Sequence, residues 1–255
     1  MERGALTGYM DVAQMTLYAF WLFFAGLVYY LRKEDKREGY PLITETGEKQ
    51  VGFPVPPKPK RFLLPHGGEA WAPRAEDPQP KFIGRPADFG FGAPLVPATA
   101  NPMASGVGPA AYALRADKPD MVTVSHEIRI VPLRKMAAEG YTVDEEGPDP
   151  RGMSVVGCDG VSAGTIADIW FDKSEDLVRY MEVNLAGGGT VLIPAPLTKI
   201  IGNTVSMASV LGSQIAEGPK TASPDQITLR EEDMIQAYFA SGHLFATPAR
   251  SEPLI

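Results

Sequence analysis

From Val12 to Leu31 the chain runs twenty residues without a charge and then reads Arg32-Lys33-Glu34-Asp35-Lys36-Arg37. At a rise of about 1.5 Å per residue this run makes a helix roughly 30 Å long, matching the hydrocarbon core of a bilayer. Leu17, Phe20, Trp21, Leu22, Phe23, Phe24, Leu27 and Val28 leave it no polar stripe, unlike the surface helix of a soluble domain. The pattern predicts one transmembrane helix over 12–31. Upstream stands one cation, Arg3; directly downstream stand four, Arg32, Lys33, Lys36 and Arg37. Because Lys and Arg hold a flank on the cytoplasmic side, residues 1–11 are expected outside and everything after Leu31 in the cytoplasm. Tyr29 and Tyr30 stand at the exit, where interfacial aromatics belong. Tyr29-Tyr30-Leu31-Arg32 offers no small-residue cleavage site, which argues against a signal peptide. The four cations form a candidate lipid-facing cluster for anionic head groups.

In the second half the periodicity changes to two. Thr165–Asp172 alternates, which predicts Ile169 and Phe171 on one face of a strand and Asp168, Trp170 and Asp172 on the other. Arg179–Leu185 alternates again, with Met181, Val183 and Leu185 predicted inward and Tyr180, Glu182 and Asn184 outward. Gly187-Gly188-Gly189 turns the chain into Thr190-Val191-Leu192-Ile193, and Gly202-Asn203 joins Lys199-Ile200-Ile201 to Thr204-Val205-Ser206-Met207 as a hairpin. Such spacing favours a small antiparallel barrel or sandwich. Thr228-Leu229-Arg230-Glu231 is a capping box opening a helix expected to run through Ala240 and stop at Gly242.

Between these halves, Pro41 to Pro119 hold 15 of the 24 prolines. Proline lacks an N–H and forces its predecessor extended, so this stretch is expected to be long and irregular. Yet Phe53, Phe62, Leu63, Leu64, Trp71, Phe82, Ile83, Phe89, Phe91, Leu95 and Val96 need cover, which suggests chain laid over another protein.

Composition narrows the function. Net charge is −7 over 255 residues, and with no basic patch beyond the anchor, nucleic acid is excluded as a partner. One cysteine, Cys158, leaves no disulfide framework and is read as a small core or strand-end residue. His66, His126 and His243 have no metal-ligand spacing. The triple glycine lacks the Lys and helix of a phosphate loop, and neither nucleophile elbow nor metal cluster is present. What remains is a set of carboxylates, Asp168, Asp172, Glu175, Asp176 and Glu182. These are either a solvated acidic face or a proton relay, in which clustered acids raise one another's pKa.

The run Arg37-Glu38-Gly39-Tyr40-Pro41-Leu42, then Phe62-Leu63-Leu64-Pro65-His66-Gly67, Gly106-Val107-Gly108-Pro109-Ala110, Ala167-Asp168-Ile169-Trp170-Phe171-Asp172 and Thr228-Leu229-Arg230-Glu231-Glu232-Asp233 resembles the H subunit of the purple-bacterial photosynthetic reaction centre. The resemblance implies a non-catalytic, single-pass subunit of the bacterial inner (intracytoplasmic) membrane with its N-terminus periplasmic. It also implies that the fold class is one N-terminal transmembrane helix plus a mainly antiparallel β cytoplasmic domain, a PRC-barrel with a C-terminal helix, and a long proline-rich irregular segment. Such a subunit caps the cytoplasmic face of the L and M subunits, shields the secondary quinone site and supports proton transfer to reduced quinone. The chain alone is expected to bind no cofactor. The complex is expected to hold bacteriochlorophyll, bacteriopheophytin, quinones, non-haem iron and carotenoid, with a bound cytochrome subunit and a light-harvesting antenna as further candidate partners.

By the same resemblance Glu175 is expected near the secondary quinone as relay or tuning group, Arg179 beside it, and Asp172 on the same route, with Asp168 a weaker choice. His126 falls where some members place surface histidines at a proton entrance, although Thr123-Val124-Ser125-His126-Glu127 shows one histidine for two and lacks their Asp. His66 has a structural hydrogen bond and proton traffic as its two readings. The expected division is 1–11 periplasmic, 12–31 transmembrane, 32–130 juxtamembrane and proline-rich wrap, and 131–255 PRC-barrel with C-terminal helix. The competing reading is a membrane-anchored adaptor whose PRC-barrel binds another partner.

Overall fold

A computed structural model describes residues 5–7, 9–44, 48–65, 67–72, 81–88 and 93–251; His66, Phe89 and Phe91, singled out above, lie outside them. The chain forms two compact units, Met1–Pro78 and Gln79–Ile255.

In the first unit, β1 (Ala5–Thr7) and β2 (Met10–Asp11) pair antiparallel ahead of α1 (Val12–Glu34). The Asp11 carboxylate caps α1 by accepting the Gln14 N–H at 2.7 Å, satisfying one of the helix's orphan donors. None of the α1 side chains is buried. The helix runs three residues past the expected end, since Arg, Lys and Glu are good helix formers and the cations of the last turn face its negative end. A 3-10 turn, Asp35–Arg37, follows.

The chain then makes two antiparallel hairpins, β3 (Leu42–Ile43) with β4 (Lys49–Gln50) and β5 (Lys60–Leu63) with β6 (Glu69–Ala72). Their anchor corrects the expectation of four lipid-facing cations. Lys36 is 4% exposed, donates to the Val51 carbonyl at 2.8 Å and lies 5.2 Å from the centre of the Tyr40 ring. Arg37 grips both Glu34 oxygens and donates to the carbonyls of Lys58 at 2.9 Å and Ala72 at 2.7 Å. Both cations fasten backbone that the prolines leave without ladder partners. Arg32 remains exposed, 3.9 Å from Asp35.

The proline-rich stretch is therefore partly ordered. A further hairpin, β7 (Gly84–Pro86) with β8 (Leu95–Pro97), opens the second unit. Met103, Val107 and Ala110 are buried there, so from Asn101 the chain contributes to a core rather than to a wrap. Phe53, Phe62, Leu63, Leu64, Trp71, Phe82, Ile83 and Leu95 keep exposed apolar surface.

The second unit is built on one seven-stranded sheet. Its strands are β9 (Ile130–Pro132), β10 (Ser154–Val156), β11 (Ser162–Asp172), β12 (Leu177–Leu185), β13 (Thr190–Pro194), β14 (Thr198–Ile201) and β15 (Thr204–Met207). The ladder runs β13–β12–β11–β10–β15–β14, with β9 also on β11. Every pairing is antiparallel except β10 with β15. Its two end strands do not pair with each other, so the sheet is not closed into a barrel. The glycine turns fall as expected, Gly188 and Gly189 between β12 and β13 and Gly202 between β14 and β15, all at positive φ.

Three helices complete the unit, the one-turn α2 (Leu133–Met136) and α3 (Gly212–Ile215) and the longer α4 (Leu229–Phe245). Thr228 and Glu231 close the predicted capping box, with the Glu231 carboxylate accepting the Thr228 N–H at 2.8 Å. Gly242 does not end α4. A Cβ there would stand 2.5 Å from the Ser209 carbonyl oxygen, so this glycine lets the helix pass close to the backbone ahead of α3.

Strand β11 departs from its predicted half-solvated pattern. β9 pairs with its end, β10 with its start and β12 along its length. Trp170 and Tyr180, expected outward, are each 1% exposed, and Asp168 and Asp172 are buried. Tyr180, Ile235, Tyr238 and Phe239 join one core with the strands. A face that reads as polar is covered by α4 and the segments before β9, which the local alternation cannot reveal. Cys158, expected in a core or at a strand end, is exposed.

Candidate functional site

Where β11 turns into β12, backbone geometry builds an acidic corner. The Asp172 carboxylate accepts the N–H groups of Ser174 at 2.9 Å and Glu175 at 3.2 Å, and its carbonyl accepts the Asp176 N–H. This is the local side-chain-to-backbone bonding that Asp favours in turns. It folds Glu175 back toward β12, where Arg179, four residues on, donates to it at 2.7 Å.

Arg129 enters from the residue before β9. Its guanidinium reaches Asp172 at 2.9 Å, Asp120 at 3.1 Å and the Glu175 carboxylate. Arg179 adds a bond from Nε to Asp172 at 3.0 Å. Backbone contacts place these groups: the Arg129 N–H donates to the Asp120 carbonyl and the Lys173 N–H to the Arg129 carbonyl. Residues 115–120 run against the start of α4, where Leu229 N–H donates to the Lys118 carbonyl and Arg230 pairs with Asp117. α4 thereby brings Glu232 to the corner. Arg115, Asp120, Arg129, Asp172, Glu175, Arg179 and Glu232, with Ile130 and Leu229, line a cavity of about 260 Å³.

The electrostatics differ from a field of mutually repelling acids. Burial pushes the Asp172 carboxyl up, but hydrogen bonds from Arg129, Arg179 and the Ser174 N–H outweigh it and hold the group below its ordinary value. Hydrogen bonds to Asp172 raise both Arg129 and Arg179 against the opposing effect of burial. Glu232 goes the other way: burial raises it, and the nearby Asp120 adds to that, while Arg115 and the other arginines pull it down less strongly. Tyr180, whose hydroxyl lies 3.5 Å from Glu232, is raised by burial and then by the Glu232 charge. It keeps its proton.

The structure brings Asp172, Glu175 and Arg179 together and leaves Asp168 outside. Asp168 accepts from the Arg134 backbone and guanidinium, each at 3.1 Å. Arg134 also binds Glu182 at 2.7 Å and Asp225 at 3.0 Å, and the Trp170 indole N–H donates to Glu182 at 2.9 Å. That second network ties α2 and the chain before α4 to the sheet. His126 is exposed at a positive φ of 57° in the loop 121–128, whose base supplies Asp120 and Arg129 to the cavity. Among the described residues no group of three or more His, Cys, Asp or Glu is placed to hold a metal ion. Sequence reasoning missed Arg115, Asp120, Arg129 and Glu232. Only Glu232 stood inside a motif already singled out, the run from Thr228 to Asp233.

Two family models match the chain. One, described as photosynthetic reaction centre, H-chain N-terminal region, covers residues 4–135, just over half of the chain. The other, described as PRC-barrel domain, covers residues 143–210 and so takes in β10 to β15. The chain therefore belongs to the H-chain family of the photosynthetic reaction centre, membrane-associated and non-catalytic subunits that accompany the L and M subunits in a complex with pigments and quinones.

Proposed function

We propose that this chain caps the cytoplasmic face of the L and M subunits, shields the secondary quinone site and supports proton delivery to the reduced quinone. The N-terminus lies in the periplasm and the sheet unit in the cytoplasm, a reading supported by the cations after Leu31. The α1 helix, with no buried side chain, takes its cover from the bilayer and from the core helices. The exposed Phe53, Phe62, Leu63 and Trp71 take theirs from the cytoplasmic ends of the same subunits. Arg32 and Lys33 meet lipid head groups. Of the expected connecting stretch 32–130, the part from Gln79 onward belongs to the same compact unit as the sheet.

The observation that carries the proton role is the cavity in which Glu175, its side chain 47% exposed, stands above the buried Asp172 between two guanidinia. A doubly reduced quinone needs two protons, and carboxylates within hydrogen-bond reach of one another and of water can pass them. The arginines keep Asp172 ionised, so that it positions Arg129 and Arg179, and Glu175 meets the proton. His126, on the loop rooted in Asp120 and Arg129, serves the entrance.

The test removes and restores the whole chain. A detergent-solubilised complex stripped of it should keep its pigments and first charge separation, lose secondary quinone occupancy and slow its proton uptake. Adding the chain back should restore both; equal uptake with and without it would sink the proposal. For the entrance, His126→Ala should slow uptake only about threefold at neutral pH, far less than the roughly two to four decades of a group fixed at the reacting centre, because water can stand in for an exposed side chain. A rate unchanged across several pH values would remove His126 from the route.

A further inference from the structure

One wall of the cavity is held differently from the rest. From Ala110, buried like Met103 and Val107, the chain runs to Asp120, whose carbonyl accepts the Arg129 N–H at 2.9 Å. After Ala110, residues 111–120 form neither helix nor strand, and none of them is buried. The stretch nevertheless supplies Arg115 and Asp120 to the cavity lining. From Arg115 to Lys118 its bonds go to one element, the N-terminal end of α4. Arg115 pairs with Asp233 at 3.2 Å, and Asp117 with Arg230 at 3.1 Å and the Thr228 hydroxyl at 3.0 Å. The Arg115 carbonyl accepts from Arg230 Nε at 3.2 Å, and the Lys118 carbonyl accepts the Leu229 N–H at 3.0 Å.

We propose that residues 111–120 are a strap that lifts from α4 and settles back, hinged at Ala110 and Asp120, and thereby gates solvent entry to the cavity. The opening does not depend on the proton-delivery reading above; its consequence for proton uptake rests on it. Stability is uneven within a fold, and segments with few buried side chains and solvent-exposed bonds open first. Both ion pairs of the strap are of that kind. The side chains of Arg115 and Asp233 are 44% and 27% exposed, those of Arg230 and Asp117 34% and 57%. Such pairs are individually weak, and salt screens them. The wall made by the turn after β11 is tighter, since Asp172 is fully buried and bonded to Arg129, Arg179 and two backbone N–H groups.

Lifting the strap leaves its surroundings intact. The first turn of α4 is capped from within, the Thr228 N–H donating to the Glu231 carboxylate and the Glu231 N–H to the Thr228 hydroxyl. What α4 loses is the acceptor of the Leu229 N–H, one of the orphan donors of a helix start, which then meets water. The same motion carries Arg115 out of the lining and opens the side where Leu229 and Glu232 stand. At the far hinge Asp120 stays paired with Arg129 at 3.1 Å, so Arg129 keeps its place on Asp172.

The Leu229 amide reports the strap directly. In the intact complex, hydrogen exchange of a peptide spanning residues 227–232 should quicken about fivefold from low to high salt, while the centre of β12 stays unchanged. A reversible lock supplies the converse. Pro119 pairs with Thr228 in an antiparallel bridge. Because proline has no N–H, this is the close kind of pair, with Cα atoms about 4.5 Å apart, a separation that a disulfide spans. Pro119→Cys with Thr228→Cys, in a Cys158→Ser background, should when oxidised slow that exchange about tenfold and abolish its salt response. It should also slow proton uptake about threefold, since the water that carries protons enters less often. Reducing the same complex should restore all three, so the loss of Pro119 and of the Thr228 cap cancels from the comparison. Exchange at Leu229 that ignores both salt and the lock overturns the strap. An oxidised complex that exchanges slowly yet takes up protons at the reduced rate upholds the strap and removes this cavity from the delivery route.

Discussion

Replacing Asp172 by Asn should cost about 3 kcal/mol of stability, because it strips the charge that two arginines are built around. Asp172 is fully buried and receives Arg129 Nε and Nη2, Arg179 Nε and two backbone N–H groups. The amide keeps one acceptor oxygen but presents an NH₂ to donors that cannot accept it. Arg129 and Arg179 are partly exposed, so water recovers some of the loss, and the figure sits at the lower edge of what breaking a buried pair costs. In the full chain in detergent, followed by the fluorescence of the buried Trp170, the midpoint of thermal unfolding should fall by about 8 °C.

The effect has a defined pH dependence. The folded-state pKa of Asp172 is depressed below its ordinary value of 3.8. Its contribution is therefore complete above about 3.8 and lost as pH falls through the depressed value. The gap between native chain and Asp172→Asn should be constant from neutral pH down to that point and narrow below it. A gap that widens on acidification would mean that another carboxylate, not Asp172, holds this corner.

How far the sequence carried depended on whether the cause was local. The α1 helix, the Gly188–Gly189 and Gly202 turns and the Thr228–Glu231 cap follow from neighbours within a few residues, and all were legible. Asp172, Glu175 and Arg179 were grouped through the family resemblance, and the tight turn after β11 is what joins them in the structure. Trp170 and Tyr180 were misplaced because their partners lie far along the chain: Pro132 of β9 pairs with Trp170, and Glu232 of α4 meets the Tyr180 hydroxyl. Lys36 and Arg37 read as a membrane-surface patch, yet their donors go to carbonyls of Val51, Lys58 and Ala72, a use that only the folded proline-rich chain reveals. Arg129 and Glu232 carried no signal of their own. An isolated arginine in Ile128-Arg129-Ile130 and the second acid of a helix start acquire meaning when the segment 115–120 docks them both against the turn after β11.

Glu175→Gln should slow the second, proton-coupled electron transfer by about a hundredfold while leaving the first, proton-free transfer within about twofold. The size follows from removing a group that must take and give a proton, typically worth two or more decades. The selectivity follows from charge. The neutral amide leaves Arg129 and Arg179 facing Asp172 and Asp120, so the cavity loses one negative charge that solvent largely screens at a half-exposed position. A purely electrostatic role for Glu175 would change both transfers in proportion, since each places an electron on the same quinone. A relay role changes the proton-coupled step alone and adds a solvent isotope effect to it. Stability should scarcely move, by at most about 1 kcal/mol, because the lost ion pairs are exposed ones. Flash-induced kinetics of both steps in the intact complex, paired with an unfolding curve, separate the three cases. Equal slowing of the two transfers would leave Glu175 as a tuning charge and return the proton route to other groups.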